Sequence, residues 1–116
     1  MARVKIVVEE ADISMPADLN DSATSKAILA ALPLEGKAQT WGEELYFETG
    51  VRLPEQDAHA EVPSGTVAYW APGHAFCVFF GQEPFSPVNV LGKINGDATS
   101  FARVKSSMKI RVEKAK

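Results

Sequence analysis

Cysteine is all but missing from this chain of 116 residues, Cys77 being the only one. That excludes an intrachain disulfide and any cysteine-based metal site within one chain, and makes a reducing cytoplasm the expected location. Histidine is scarce too. His59 and His74 are the only two, and neither stands in a ligand-spaced motif such as HExxH, so no metal and no cofactor is expected. No apolar run approaches the roughly 20 residues of a membrane span, so no membrane partner is expected. At the start of the chain a short apolar run is followed at once by acidic residues, where a signal peptide would need small residues for cleavage. It reads as a first strand. There is no excess of positive charge, with 12 basic against 15 acidic residues and a net charge of −3. Such a field repels polyphosphate and argues against nucleic acid as a partner. No GxGxxG, Walker or GxSxG pattern occurs, and Asn95-Gly96-Asp97 reads as a turn followed by a helix cap, not a phosphate loop.

What the chain does have is ordinary globular material, 46% hydrophobic and 23% charged. That suffices for one domain, 1–116, able to bury about two thirds of its unfolded surface. Its most informative stretch is 65–81, GTVAYWAPGHAFCVFFG. Two apolar runs flank Ala71-Pro72-Gly73-His74, the local pattern of a β-hairpin. The second arm, Ala75, Phe76, Cys77, Val78, Phe79 and Phe80, is apolar at every position, so both of its faces must be hidden from water. One face belongs to a core, and the other needs a cover or a ligand.

The rest of the chain is read around that hairpin. Strands are predicted over 4–9 and 13–19, with a bend near Ala11-Asp12, and Pro16 argues for an edge or a bulge because it cannot donate to a ladder. A helix over 23–32 is capped by Asp21 or Ser22, places Ile28, Ala31 and Leu32 on one face, and is stopped by Pro33. Period-two patterning returns at 37–41 and 44–49 around Gly42-Glu43-Glu44. The segments 52–64 and 82–87 read as loops. A further strand covers 88–94, Asp97 can cap a short helix over 99–104, and Met108, Ile110 and Val112 alternate with Lys109, Arg111 and Glu113 in a last strand. The basic residues of that end, Lys105, Lys109, Arg111, Lys114 and Lys116, form its wet face and discourage edge-to-edge association. The total is about eight strands and two short helices, without the regular alternation of an α/β sheet. The expected fold is mainly β, a closed or nearly closed antiparallel barrel of eight strands plugged by helices.

Several of these segments together resemble the cyclophilin-like domain of small prokaryotic proteins, an atypical branch of the cyclophilin fold with poorly defined function. They are Ala30-Ala31-Leu32-Pro33-Leu34, Trp41-Gly42-Glu43-Glu44-Leu45-Tyr46-Phe47, Gly65 through Trp70, Phe79-Phe80-Gly81 and Val88-Asn89-Val90-Leu91-Gly92-Lys93-Ile94. The resemblance implies an eight-stranded barrel capped by two helices. True cyclophilins are peptidyl-prolyl isomerases, and the catalytic arginine of that family comes from a strand aligning with 44–47, where this chain has none; Arg52 is the nearest. Their pocket histidine precedes the valine-rich strand, where Val88 and Asn89 stand here.

The candidate site follows from alternation. If Leu45 and Phe47 face the core, Glu44 and Tyr46 lie on the opposite face, toward the outer side of the hairpin. An aromatic groove holding one carboxylate is expected there, drawn from Trp41, Glu44, Tyr46, Trp70, His74, Phe76 and Phe79, with the choice between Phe76 and Phe79 as the outward residue left open. Glu43 and Glu44 are adjacent, so they face opposite sides and cannot form an acid and base pair. Cys77, mid-strand among apolar neighbours, reads as an inert buried thiol. The expected function is the binding of a small molecule or a peptide segment. The alternative is a divergent peptidyl-prolyl isomerase whose proline pocket is made by Tyr46, Trp70 and the phenylalanines. Nothing in the sequence sets the oligomeric state.

Overall fold

The β-branched start of the chain forms β1 (Ala2–Val8), which turns through a short 3-10 helix, Glu9–Ala11, into its antiparallel partner β2 (Ile13–Leu19) in this computed structural model, which describes every residue except Met1, Phe85 and Lys116. Two residues of the expectations above, Phe85 in the loop and Lys116 at the basic end, thus lie outside the described residues. Asp12 closes the first turn in the left-handed region, φ +56°, one of the few residue types that tolerate it. Pro16 pairs opposite Lys5, and its carbonyl accepts from the Asn95 N–H at 2.8 Å. The N and O of an extended residue point the same way, so the missing donor of Pro16 faces the end of the neighbouring strand, beyond the last pair at Ala17. The proline is therefore accommodated in an interior strand where that ladder stops, rather than at a sheet edge.

Ser22 caps α1 (Ala23–Ala31) by accepting from the Ser25 N–H at 3.2 Å, and the helix ends at Leu32, before Pro33. Ile28 is fully buried and Ala31 and Leu32 pack partly against the core, the face that the spacing predicts. The remaining strands are β3 (Leu34–Lys37), β4 (Gln39–Trp41), β5 (Glu44–Glu48), β6 (Thr66–Trp70), β7 (Ala75–Phe79), β8 (Asn89–Ile94) and β9 (Lys109–Lys114). Their order across the sheet is β3-β9-β1-β2-β8-β6-β7-β5-β4, every neighbouring pair being antiparallel.

The two ends of that order, β3 and β4, are consecutive pieces of one extended run. They meet at the buried Ala38, whose N–H donates to Met108 O and whose carbonyl accepts from Ser107 N–H, both at 2.8 Å. The run pairs with β9 on one side of Ala38 and with β5 on the other, so the chain itself bridges the gap and the barrel is nearly closed. This is why nine strands are seen where eight are expected.

Inward-facing side chains from all round the ring, among them Val4, Ile6, Leu45, Phe47, Val67, Tyr69, Phe76 and Leu91, form the main core. Ile28 from α1 and Phe101 from the 3-10 helix Ala98–Arg103 are part of it. Asp97 caps that second helix, its Oδ1 accepting from the Thr99 N–H at 3.0 Å. At Gly92 the backbones of β8 and β2 come so close that a Cβ would lie 1.9 Å from Asp18 O, so only glycine fits. The loop 52–64 is anchored from beneath: the Tyr69 hydroxyl donates to Val51 O and accepts from the Leu53 N–H, and the buried Asn89 amide donates to Thr24 Oγ1 and Pro54 O and accepts from the Gln56 N–H.

A candidate binding cavity on the outer face of the hairpin

On β5, Leu45 and Phe47 are fully buried in the barrel while Glu44 and Tyr46 take the outer face, as alternation requires. Register then decides their neighbours. Glu44 lies opposite Phe79 and Tyr46 opposite Cys77 on β7; on β4, Trp41 lies opposite Glu44; on β6, Ala68 lies opposite Cys77 and Trp70 opposite Ala75. The outer face thus carries aromatics toward its margins and the small residues Ala68, Ala75 and Cys77 toward its middle. Val62 and Val88 pack on these to form a second, smaller apolar cluster with Phe79. Beside it a cavity of about 220 Å³ remains, walled by Trp41, Tyr46, Trp70 and Phe79, with Glu44 in the wall and Pro84, Ser86 and Val88 as the cover.

The covering segment is tied at several points. Gln82 Oε1 accepts from the Glu43 N–H at 2.7 Å, Phe80 N–H donates to Glu43 O at 2.9 Å, and the Trp70 indole N–H donates to Ser86 Oγ. Val88 exchanges backbone hydrogen bonds with His59 at 2.8 and 3.0 Å. Gly42, at φ +59°, makes the β4–β5 turn, and a Cβ there would strike Gln82 Oε1. On the other side the Trp70 indole lies so close to Gly73 that a Cβ would be 2.5 Å from Cε3 and Cζ3. The Tyr46 and Trp70 pair also borders a second depression of about 450 Å³ that includes Lys37, Gln39 and Glu48.

Of the residues expected at the site, Trp41, Glu44, Tyr46, Trp70 and Phe79 come together. Phe76 and His74 do not join them. Phe76 points into the barrel, its ring centroid 5.7 Å from that of Phe47, which resolves the open choice on β7 in favour of Phe79. His74 closes the 3-10 turn Ala71–Gly73 at φ +51°, its N–H donating to Ala71 O and its carbonyl accepting from the Thr49 N–H and hydroxyl. Pro84, Ser86 and Val88 were not expected at the site, since only the folding of the loop over the sheet brings them there. Among the described residues no group of three or more His, Cys, Asp or Glu side chains is placed to hold a metal ion, and no helix is long and apolar enough to cross a membrane.

Electrostatically the site centres on Glu44. Burial pushes its carboxyl up from an ordinary 4.5 to about 7, and none of the described residues donates a hydrogen bond to it. Burial first, and then the Glu44 charge, push the Cys77 thiol above its usual range, so it stays protonated and unreactive.

A nearly closed antiparallel barrel with a helix-plugged core and this order of strands defines a cyclophilin-like domain. The chain belongs to that family: the Cyclophilin-like family model matches residues 2–113. Among solved structures, the hypothetical protein AF2241 from Archaeoglobus fulgidus, determined in solution, is similar with a TM-score of 0.81 and 32% identity over 98% of this chain and 95% of that one. McbB, whose structure was determined in complex with tryptophan, is similar with a TM-score of 0.78 and 17% identity. That match covers 96% of this chain but 44% of McbB, and at such identity it is a likeness of fold alone. No curated protein matches the chain.

Proposed function

We propose that this protein is a binding domain whose aromatic cavity accepts a small molecule or one side chain of a peptide segment. The observation that carries this reading is the convergence of Trp41, Tyr46, Trp70 and Phe79 around a half-buried carboxyl at a tied-down cavity. Its volume of about 220 Å³ falls below the roughly 300–1,000 Å³ of drug-sized ligand sites, which limits the occupant to a small ligand or a single side chain. A reducing cytoplasm suits the lone buried thiol.

Binding is favoured over prolyl isomerisation by the polar groups at the site. Rotation about a prolyl amide is assisted by a hydrogen-bond donor poised at the reacting amide. Here the Trp70 N–H is engaged by Ser86, none of the described residues lining the cavity is an arginine, and Arg52 is exposed outside it.

The test uses tryptophan emission and backbone amide shifts while tryptophan, small aromatic amines, alcohols and acids, and short prolyl peptides are titrated in turn. Tryptophan is included because McbB was determined with it. The expected result is saturable quenching, with shifts centred on Glu44, Tyr46, Trp70 and Phe79, lost in Tyr46→Ala. A flat response across the panel would sink the reading, and catalysed prolyl isomerisation that disappears in Tyr46→Ala would replace it with the enzymatic one.

A further inference from the structure

We propose that the cavity selects small organic ammonium ions, a positively charged nitrogen carried on an apolar body; this rests on the reading of the cavity as a binding site. Three observations lead there. First, the walls are aromatic, and aromatic faces carry negative electrostatic potential that attracts a cation within about 6 Å of the ring centroid. Because the Trp70 indole N–H is already bonded to Ser86, that side chain has only its ring surface left to offer an occupant. Second, among the described residues of the lining Glu44 is the one acidic side chain and none is basic; Lys37 borders the neighbouring depression with Tyr46 and Trp70. An anionic ligand would meet the Tyr46 and Ser86 hydroxyls but also a carboxylate and ring faces, with no positive charge among the described lining residues to neutralise it. Third, none of the described residues hydrogen-bonds the Glu44 carboxyl. A neutral occupant would take more water from the ionised group without supplying an opposite charge, which is unfavourable, whereas an organic ammonium ion brings that charge as it excludes the water.

The same geometry sets a pH dependence. The titratable groups near Glu44 are Tyr46 on its own strand, Cys77 on β7, Glu43 in the β4–β5 turn and the exposed Glu83 on the loop. Cys77 is pushed upward and stays neutral. Glu44, pushed up to about 7 by burial, changes its charge near neutrality. A ligand with a permanent positive charge binds the ionised form, which grows about tenfold from pH 6 to pH 8 for a pKa near 7.

The experiment titrates benzyltrimethylammonium, benzyl alcohol and benzoate into the whole protein at pH 6 and pH 8, following tryptophan emission and backbone amide shifts. The cation is expected to bind at least tenfold more tightly than the alcohol at pH 8, with benzoate weakest, and to lose most of that advantage at pH 6. In Glu44→Gln the cation and the alcohol should come within about threefold, without pH dependence. The wild-type series at the two pH values decides the matter even if that variant folds poorly. Alcohol or benzoate binding as tightly as the cation at pH 8, at the same resonances, would overturn the cation selectivity and leave the cavity a binding site. No response to any of the three would overturn the cation selectivity, while the binding reading falls only if tryptophan and the prolyl peptides are silent as well.

Discussion

Phe76 and Val78 on one face of β7, with Phe80 just beyond them, are as deeply buried as Ala75, Cys77 and Phe79 on the other, but in different company. The inner set interdigitates with side chains from around the whole barrel. The outer set is covered by a few residues of loops and neighbouring strands, and beside it lie a cavity and a carboxyl with no described hydrogen-bond donor. Low exposure alone therefore does not distinguish a core from the floor of a site. What separates them is whether the neighbouring volume is filled by side chains or by a tied loop with room beneath it.

The comparison breaks most clearly at its aromatic members. Phe76→Ala should cost about 3–5 kcal/mol, read as a lower urea midpoint, because the void it leaves is enclosed by the barrel. Phe79→Ala should cost less, about 2 kcal/mol, because its void opens onto a cavity that water can enter, and it should weaken ligand-induced quenching where Phe76→Ala variants that still fold do not. Equal stability costs would erase the distinction between the faces.

Glu44 sharpens the comparison through pH. In the folded protein its carboxyl is still protonated at pH values where the unfolded chain has already released the proton, between an ordinary 4.5 and about 7. The folded state binds more protons there, so stability is greatest below that window, falls as pH rises through it and is flat above. The fall should be about 1–2 kcal/mol after allowing for the water that still reaches a half-buried group, and Glu44→Gln should abolish it. Asp18, Asp97 and Glu113 are shifted the other way, by the hydrogen bonds of Arg3, Thr99 and Arg111, so their contributions are lost only on further acidification. Denaturation profiles of the two proteins between pH 4.5 and 8 separate these effects; parallel profiles would refute the placement of Glu44.

The smallest effect is expected at Gly73→Ala. The new methyl must displace the Trp70 indole, changing tryptophan emission and ligand affinity at a stability cost of about 1 kcal/mol. An unchanged spectrum would show that the ring does not lie over the turn.

Much of this was legible in the sequence because it is local. Period-two patterning marks Leu45 and Phe47 against Glu44 and Tyr46, an uninterrupted apolar run marks β7 as hidden on both faces, and Asp21 or Ser22, Pro33 and Asp97 bound the helices, the structure selecting Ser22 as the cap. What remained hidden is set by register and by distant contacts. Alternation cannot say whether Phe76 or Phe79 faces out until Tyr46 is known to lie opposite Cys77. The change of partner at Ala38 leaves no mark in a stretch that is simply extended. Ser86 shows its role only once the loop folds back and its hydroxyl accepts from the Trp70 indole N–H. Asn89, adjacent in sequence to a cavity residue, points elsewhere and joins the helix to the long loop.

The position of β9 between β1 and β3 has a consequence for biosynthesis. The outermost strand in sequence is an inner strand of the sheet, so while the chain is being translated β1 and β3 must both wait, each with an unpaired backbone edge, for residues 109–114 to leave the ribosome. The hairpin β6–β7 and its β5 neighbour can assemble earlier from nearby residues. The order of synthesis thus completes the strands under the cavity before the strand that the ring needs to close.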